Sequence, residues 1–186
     1  HGALITEAQL RRAKMLGVTV SFFVDHLYFY GDRLDDLVGA RRLGRYMPLR
    51  SALEAGHRIS IHTDNPATPI DPWRAIRTAI TRTPRGGREV IAPHQTLNIE
   101  QALAAVTRDA AWQLGLEKEI GTLEVGKRAD CVVLSENPLT LEASRLTDME
   151  TLGTWIGGRP VDGRGLTLRH AGLAWRALTG ALGLGP

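Results

Sequence analysis

His57-Arg58-Ile59-Ser60-Ile61-His62-Thr63-Asp64-Asn65-Pro66 is the stretch on which the fold of this chain turns. Residues 57–62 read as a β-strand, and Asn65 and Pro66 force the chain out of the sheet directly afterwards. A helix precedes the strand over about residues 48–55, with Pro48 suited to its first turn and Gly56 closing it. Another follows from Asp71, which caps it, and Pro72, its first helical residue, to about Thr83.

The same alternation extends outward. Upstream, Thr6 and Gln9 form a capping-box pattern for a helix over residues 6–16 that stops at Gly17. The β-branched and aromatic run of residues 18–24 then reads as a strand covered on both faces. A polar and aromatic loop is expected over residues 25–36. Downstream, a Gly-rich loop at 85–88 leads to a helix over residues 98–114, whose apolar face is Ile99, Leu103, Val106, Ala110 and Leu114. Strands alternating with helices at this spacing predict βα units and a parallel sheet. The fold class is therefore α/β, with residues 1–117 as the final part of a (β/α)8 barrel. Two strands cannot close such a barrel, which needs about 250 residues, so the remainder is expected upstream or from another chain. The abrupt start at His1-Gly2-Ala3, with no initiator methionine, suggests a fragment.

Residues 118–163 differ in character. Residues 119–130 and 131–134 read as short strands around a Gly-containing turn, and residues 154–161 as a hairpin turning at Gly157-Gly158. They are expected to form part of a small β-sandwich. Residues 164–186 form a tail with a modest helical pattern at 173–182.

Composition excludes several classes. Of 186 residues, 43% are hydrophobic and 23% charged, as in a globular protein able to bury a core. The net charge of +3 is carried by arginines scattered over helical segments, not by a basic run with interleaved aromatics, so no nucleic-acid partner is expected. No apolar stretch reaches the length of a membrane span, and no membrane partner is expected. The single Cys131 permits no intrachain disulfide and lies in what reads as a buried strand, which favours a cytoplasmic setting and argues against a nucleophile.

Chemistry is expected at strand ends, because in parallel α/β folds the carboxyl ends of strands are where reactive groups converge. Asp64 is the first candidate. Its carboxylate can bind a divalent metal and accept a proton from water; the rival explanation is that Asp64-Asn65-Pro66 only builds a turn. His1 would stand at a strand end if a strand precedes it, or would be no more than a chain end. His26 lies just past a strand among Asp25, Tyr28 and Tyr30, residues suited to lining a substrate pocket, with a core histidine as the alternative. His62 is two residues before Asp64 and so on the same strand face, joining the site or packing beneath it. His57, His94 and His170 have no evident partners and receive no role.

Together the His1-Gly2-Ala3-Leu4-Ile5 opening, the His26-Leu27-Tyr28-Phe29-Tyr30-Gly31-Asp32-Arg33 segment, Thr63-Asp64-Asn65-Pro66 and the segment from Ile120 to Asp130 resemble the amidohydrolase superfamily, specifically its amidohydrolase-3 branch of metal-dependent hydrolases. The resemblance spans residues 1 to about 163. It implies an eight-fold barrel with one or two divalent metals, usually zinc, and a small β-sandwich assembled from segments before and after the barrel. By position, His1 is similar to the metal-ligand histidine at the end of the sixth strand and Asp64 to the aspartate at the end of the eighth. The implied activity is hydrolysis of a non-peptide carbon–nitrogen bond in an amide or cyclic amide, with metal-activated hydroxide as nucleophile, Asp64 carrying the proton to the leaving nitrogen, and His26 orienting a small-molecule substrate. Gly126 and Lys127 are expected to serve a turn. The chain lacks the family's His-x-His pair, its bridging lysine or glutamate and its fifth-strand histidine. By itself it is therefore expected to be inactive and to need the upstream barrel half; homo-oligomerisation stays open. Deamination of a heterocycle or nucleobase is the rival enzyme class, and a truncated, non-catalytic interaction module the rival outside enzymes.

Overall fold

The computed structural model describes residues 1–87 and 89–161, a mixed α/β arrangement. Helix α1 (Glu7–Met15) opens at Thr6 with both hydrogen bonds of the capping box in place. Strand β1 (Val20–Phe23) follows. Val20, Phe22 and Phe23 of the strand are buried, as apolar residues on both faces require, with Leu10 of α1 and Val24 just beyond the strand also fully buried.

The expected loop at 25–36 is instead mostly helical. Helix α2 (Asp25–Tyr30) runs through a 3-10 turn (Gly31–Arg33) into α3 (Leu34–Val38), and α4 (Ala40–Leu43) comes next. Besides Asp25, the buried positions are Leu27, Gly31 and Leu34, spaced four and three apart. That is the helical period, which the intervening aromatic and acidic residues obscure in the sequence. Gly31 is required: a Cβ there would sit 2.7 Å from Pro84 Cγ and 2.9 Å from Ile91 Cδ1.

Helix α5 (Leu49–Glu54), strand β2 (Ile59–His62) and helix α6 (Pro72–Thr81) fall where the central stretch predicts them. Asp71 Oδ1 accepts from the Arg74 amide at 2.9 Å as the N-cap. β1 and β2 pair in parallel, with Val20 opposite Ile59 and Phe23 opposite His62.

The single helix expected over 98–114 is two, α7 (Ile99–Val106) and α8 (Arg108–Gln113). They break at Thr107, with φ −124° and ψ −95°. Its hydroxyl donates to the Leu103 carbonyl at 2.7 Å, the back-bonding that bends helices at Thr. The fully buried side is Ala102 and Ala105, with Ile99, Leu103 and Val106 only half-buried. Small alanines let α7 approach β2 closely, so the smaller side chains take the core side. α8 is fastened to the strands by Gln113, whose Nε2 donates to the carbonyls of Val20 (2.9 Å) and Arg58 (3.1 Å) and whose Oε1 accepts from Ser60 Oγ at 2.7 Å.

The second sheet is antiparallel: β3 (Cys131–Leu134), β4 (Thr151–Ile156) and β5 (Arg159–Pro160), in that order. The hairpin turns at Gly157-Gly158, both with positive φ (58° and 74°), as a two-residue turn matched to strand twist demands. No strand forms within 119–130, contrary to the expectation; turns occupy that stretch, closed by bonds such as Arg128 N–H to the Glu119 carbonyl at 2.8 Å. Nor is β3 buried. Cys131 is free and half-buried, while Val132 and Val133 are 47% and 46% exposed. Lys127 Nζ does serve its turn, reaching Thr122 Oγ1 at 2.6 Å and Glu124 at 3.1 Å. The helical pattern at 173–182 and His170 lie outside the described residues. Among the described residues, no helix is long and apolar enough to cross a membrane.

Candidate active site

β2 delivers His62 and, two residues on, Asp64 to the carboxyl end of the parallel pair. Asp64 takes φ +55°, a left-handed conformation that Asp tolerates better than most residues and that breaks the strand at the point where its carboxylate emerges. His1 reaches the same spot because Gly2 (φ +56°) crosses β1 closely, so that a Cβ there would lie 2.8 Å from Val20 Cγ1. His1 Nε2 is 3.3 Å from Asp64 Oδ2, and His1 Nδ1 is 3.3 Å from His62 Nε2.

One ligand atom from each of His1, His62 and Asp64 can be chosen so that all lie within 4.8 Å of one another. Their chemistry suits a divalent metal such as zinc: two imidazoles and a carboxylate make a three-ligand catalytic set. In a tetrahedral site with metal–ligand bonds of about 2.0–2.1 Å, donor atoms stand about 3.3 Å apart, the spacing of His1 from Asp64. Burial is the first cause that lowers the His62 pKa below the ordinary imidazole value, and the nearby Asp64 carboxylate opposes it. The neutral ring that results is the form that binds metal. His62 thus joins His1 and Asp64 in one cluster.

Asp25 does not line a pocket. It is 0% exposed, with its Oδ2 held by Arg74 Nη2 at 2.8 Å and by Thr68 Oγ1 at 3.3 Å. The Thr68 hydroxyl is also close to the Thr63 carbonyl. Asp25 therefore braces the loop that carries Asp64 from beneath. Burial raises its pKa and outweighs the opposing pull of Arg74.

His26 sits beside the cluster, with Phe23 between it and His62: ring centroids are 5.4 Å apart for Phe23 and His26 and 5.7 Å for Phe23 and His62. Burial lowers its pKa as well. Its Nδ1 pairs with Tyr46 Oη at 2.7 Å, and Tyr30 packs against the ring at 4.7 Å. Tyr30 thus shares a wall with His26. Tyr28 does not; it meets Phe29 edge-on and Arg77 from above. His57, given no partner from sequence, is buried and donates from Nε2 to the Leu10 carbonyl at 2.8 Å, a core role.

Sequence patterns missed Tyr46, Arg74 and Arg82. Arg74 could have been found as the third residue after the Asp71 cap. Tyr46 and Arg82 act across about twenty to forty residues of chain, with no local signal to mark them.

Residues 1–162 match the family model described as the amidohydrolase family. The chain belongs to that family. An N-substituted formamide deformylase from Arthrobacter pascens is 31% identical over 114 residues, 61% of this amidohydrolase chain and 21% of that relative. The chain thus spans only about a fifth of that relative's length. Among solved structures, an uncharacterized metal-dependent hydrolase from Pyrococcus horikoshii OT3 superimposes with a TM-score of 0.68 at 27% identity, covering 77% of this chain and 29% of that one. An adenosine deaminase from Xanthomonas campestris with bound zinc does so with a TM-score of 0.63 at 25% identity, covering 96% and 40%. Of these solved structures, one is described as a metal-dependent hydrolase and the other holds zinc.

Proposed function

We propose that this chain is the carboxyl-terminal portion of a metal-dependent hydrolase that cleaves a non-peptide carbon–nitrogen bond in a small amide or cyclic amide. The single observation that carries this reading is the convergence of His1, His62 and Asp64. Residues 1–117 would supply the last βα units of an eight-stranded barrel, and residues 118–163 part of a β-sandwich beside it. Further metal ligands would come from segments outside the 186 residues, so the chain alone would be inactive. A cytoplasmic setting fits the free Cys131.

The metal, with zinc the first candidate, would supply positive charge that polarises the scissile carbonyl and lowers the pKa of water. His1 and His62 would hold it through ring nitrogens. Asp64, 37% exposed, would be a ligand with a second oxygen free to take a proton from the attacking water and pass it to the leaving nitrogen. His26, neutral at pH 7 because burial disfavours its charge, would orient the substrate from the side wall it shares with Tyr30. Asp25 would keep the Asp64 loop in place without touching substrate.

Similarity to a zinc-bound adenosine deaminase favours one alternative, deamination of a heterocycle. A panel assay of the full-length enzyme separates the two: N-substituted formamides and cyclic amides on one side, amino-substituted purines and pyrimidines on the other. Turnover of the first set supports the hydrolase reading, and ammonia release from the second replaces it with deamination. Turnover of neither, in protein that holds no metal, leaves a non-catalytic interaction module as the better account.

A further inference from the structure

Arg82 is a buried cation without an acidic partner. It is 0% exposed, and none of the ion pairs among the described residues involves it. Its guanidinium spends its donors on three backbone carbonyls: Nε on Ile91 at 2.6 Å, Nη1 on Met47 at 3.1 Å and Nη2 on Tyr46 at 2.5 Å. Burial pushes its pKa down to about 9, so the charge is held at a cost but persists at neutral pH. A buried charge paired only with carbonyls is a poor device for stability alone, since desolvation offsets much of what the hydrogen bonds return. Its geometry is nevertheless tightly set. Arg82 ends α6 with φ +52°, its amide donates to the Thr78 carbonyl at 2.8 Å, and its own carbonyl accepts from Ile91 N–H at 3.1 Å.

What Arg82 grips is the segment from Arg45 to Met47, which belongs to no helix or strand. That segment touches two arms of the site. Met47, itself at φ +48°, donates its N–H to the Ala3 carbonyl at 2.8 Å, two residues from His1. Arg45 Nη1 reaches the Leu4 carbonyl at 2.5 Å. On the other side, Tyr46 Oη meets His26 Nδ1 at 2.7 Å. We propose that Arg82 is a positioning residue, which by clamping the Tyr46 and Met47 carbonyls holds the His1 segment and the His26 ring in fixed relation across the site. The planar fork suits this: a guanidinium holds its donors in fixed directions toward neighbouring carbonyls, whereas the three donors of a lysine ammonium rotate on a flexible stem. The proposal rests on the functional reading above for its consequence in catalysis, while the clamp itself can be judged without it.

The test is made on the full-length enzyme with labelled histidine, comparing Tyr46→Phe, Arg82→Lys and the double variant. Tyr46→Phe removes only the hydroxyl and should move the His26 ring resonance. Arg82→Lys, which does not contact His26, should move the same resonance in the same direction. Because both act through one contact, the double variant should add little to either. In turnover, each single variant should lower kcat/KM by about ten-fold, the scale of one misaligned hydrogen bond, with metal content unchanged in Tyr46→Phe. A folded Arg82→Lys protein with the unsubstituted His26 resonance overturns the proposal, as do losses that multiply in the double variant. Should Arg82→Lys fail to fold, Arg82→Gln takes its place; if neither folds, Arg82 is a folding element and the positioning role is rejected. Rapid solvent exchange of the Arg82 Nε–H in the unsubstituted enzyme, at the rate of an exposed arginine, also overturns it. If the unsubstituted enzyme cleaves no carbon–nitrogen bond, the functional reading falls and the His26 resonances still decide the clamp.

Discussion

The two sheets of this chain draw on similar residues and end in different surroundings. β1 and β2 are packed between helices, so that Phe22 is fully buried and Ile59 nearly so, and their carboxyl ends present His62 and, with the loop beyond, Asp64. β3 and β4 are as rich in apolar residues, yet Val132, Val133, Leu152 and Ile156 stay largely exposed among the described residues. An apolar strand states that it needs cover without stating who provides it. Helices adjacent in sequence cover the parallel pair, because a crossover brings its own helix to the sheet. Among the described residues, no helix adjacent in sequence covers the antiparallel unit in this way.

This contrast can be broken most sharply by truncating matched positions. Phe22→Ala should destabilise the protein by about 3–5 kcal/mol in denaturant unfolding, as a large cavity does in a closed core. A loss below about 1 kcal/mol would mean that the parallel pair is no better packed than the other sheet. Next in size is Arg74→Ala, which strips the 2.8 Å ion pair from the fully buried Asp25 and should cost about 3 kcal/mol at neutral pH. Its pH dependence has a definite sign. Burial already holds the Asp25 pKa above its ordinary value against the pull of Arg74, and removal of Arg74 raises it further. The Arg74→Ala deficit should therefore shrink as pH falls and Asp25 takes up a proton, and a deficit that grows toward acid would contradict the bracing role.

Smaller effects sharpen the picture at the edges. Asp71→Ala removes the cap that accepts from the Arg74 amide at 2.9 Å and should cost about 1 kcal/mol. Val133→Thr, on the exposed β3, should change stability by no more than about 0.5 kcal/mol. A much larger loss would show that β3 is covered after all.

Much of the parallel half was legible from local chemistry. Thr6 with Gln9, Asp71 with Pro72, and the break at Asn65-Pro66 each act within a few residues, and each element they delimit forms where they place it. Local chemistry misled where tertiary packing chose the outcome: Leu27, Gly31 and Leu34 make a helix beneath a polar and aromatic surface, and Thr107 divides a stretch whose periodicity reads as continuous. At the site, strand alternation could place His62 on the same face as Asp64, and the meeting of both with His1 depends on Gly2 crossing β1. The support layer was illegible. Arg82 to Tyr46, Tyr46 to His26 and Arg74 to Asp25 are pairings that only the folded chain creates, because nothing in a sequence window encodes a bond across tens of residues.

The central claim, that His1, His62 and Asp64 form part of a metal centre, is tested most directly by elemental analysis of the full-length enzyme beside its Asp64→Asn and His62→Ala variants. Stoichiometric zinc or another divalent metal in the unsubstituted protein, with occupancy reduced at least ten-fold in His62→Ala and hydrolysis lost in Asp64→Asn, is the expected result. A folded, unsubstituted protein that holds no metal after exposure to zinc, or one whose metal content is untouched by either substitution, would contradict it.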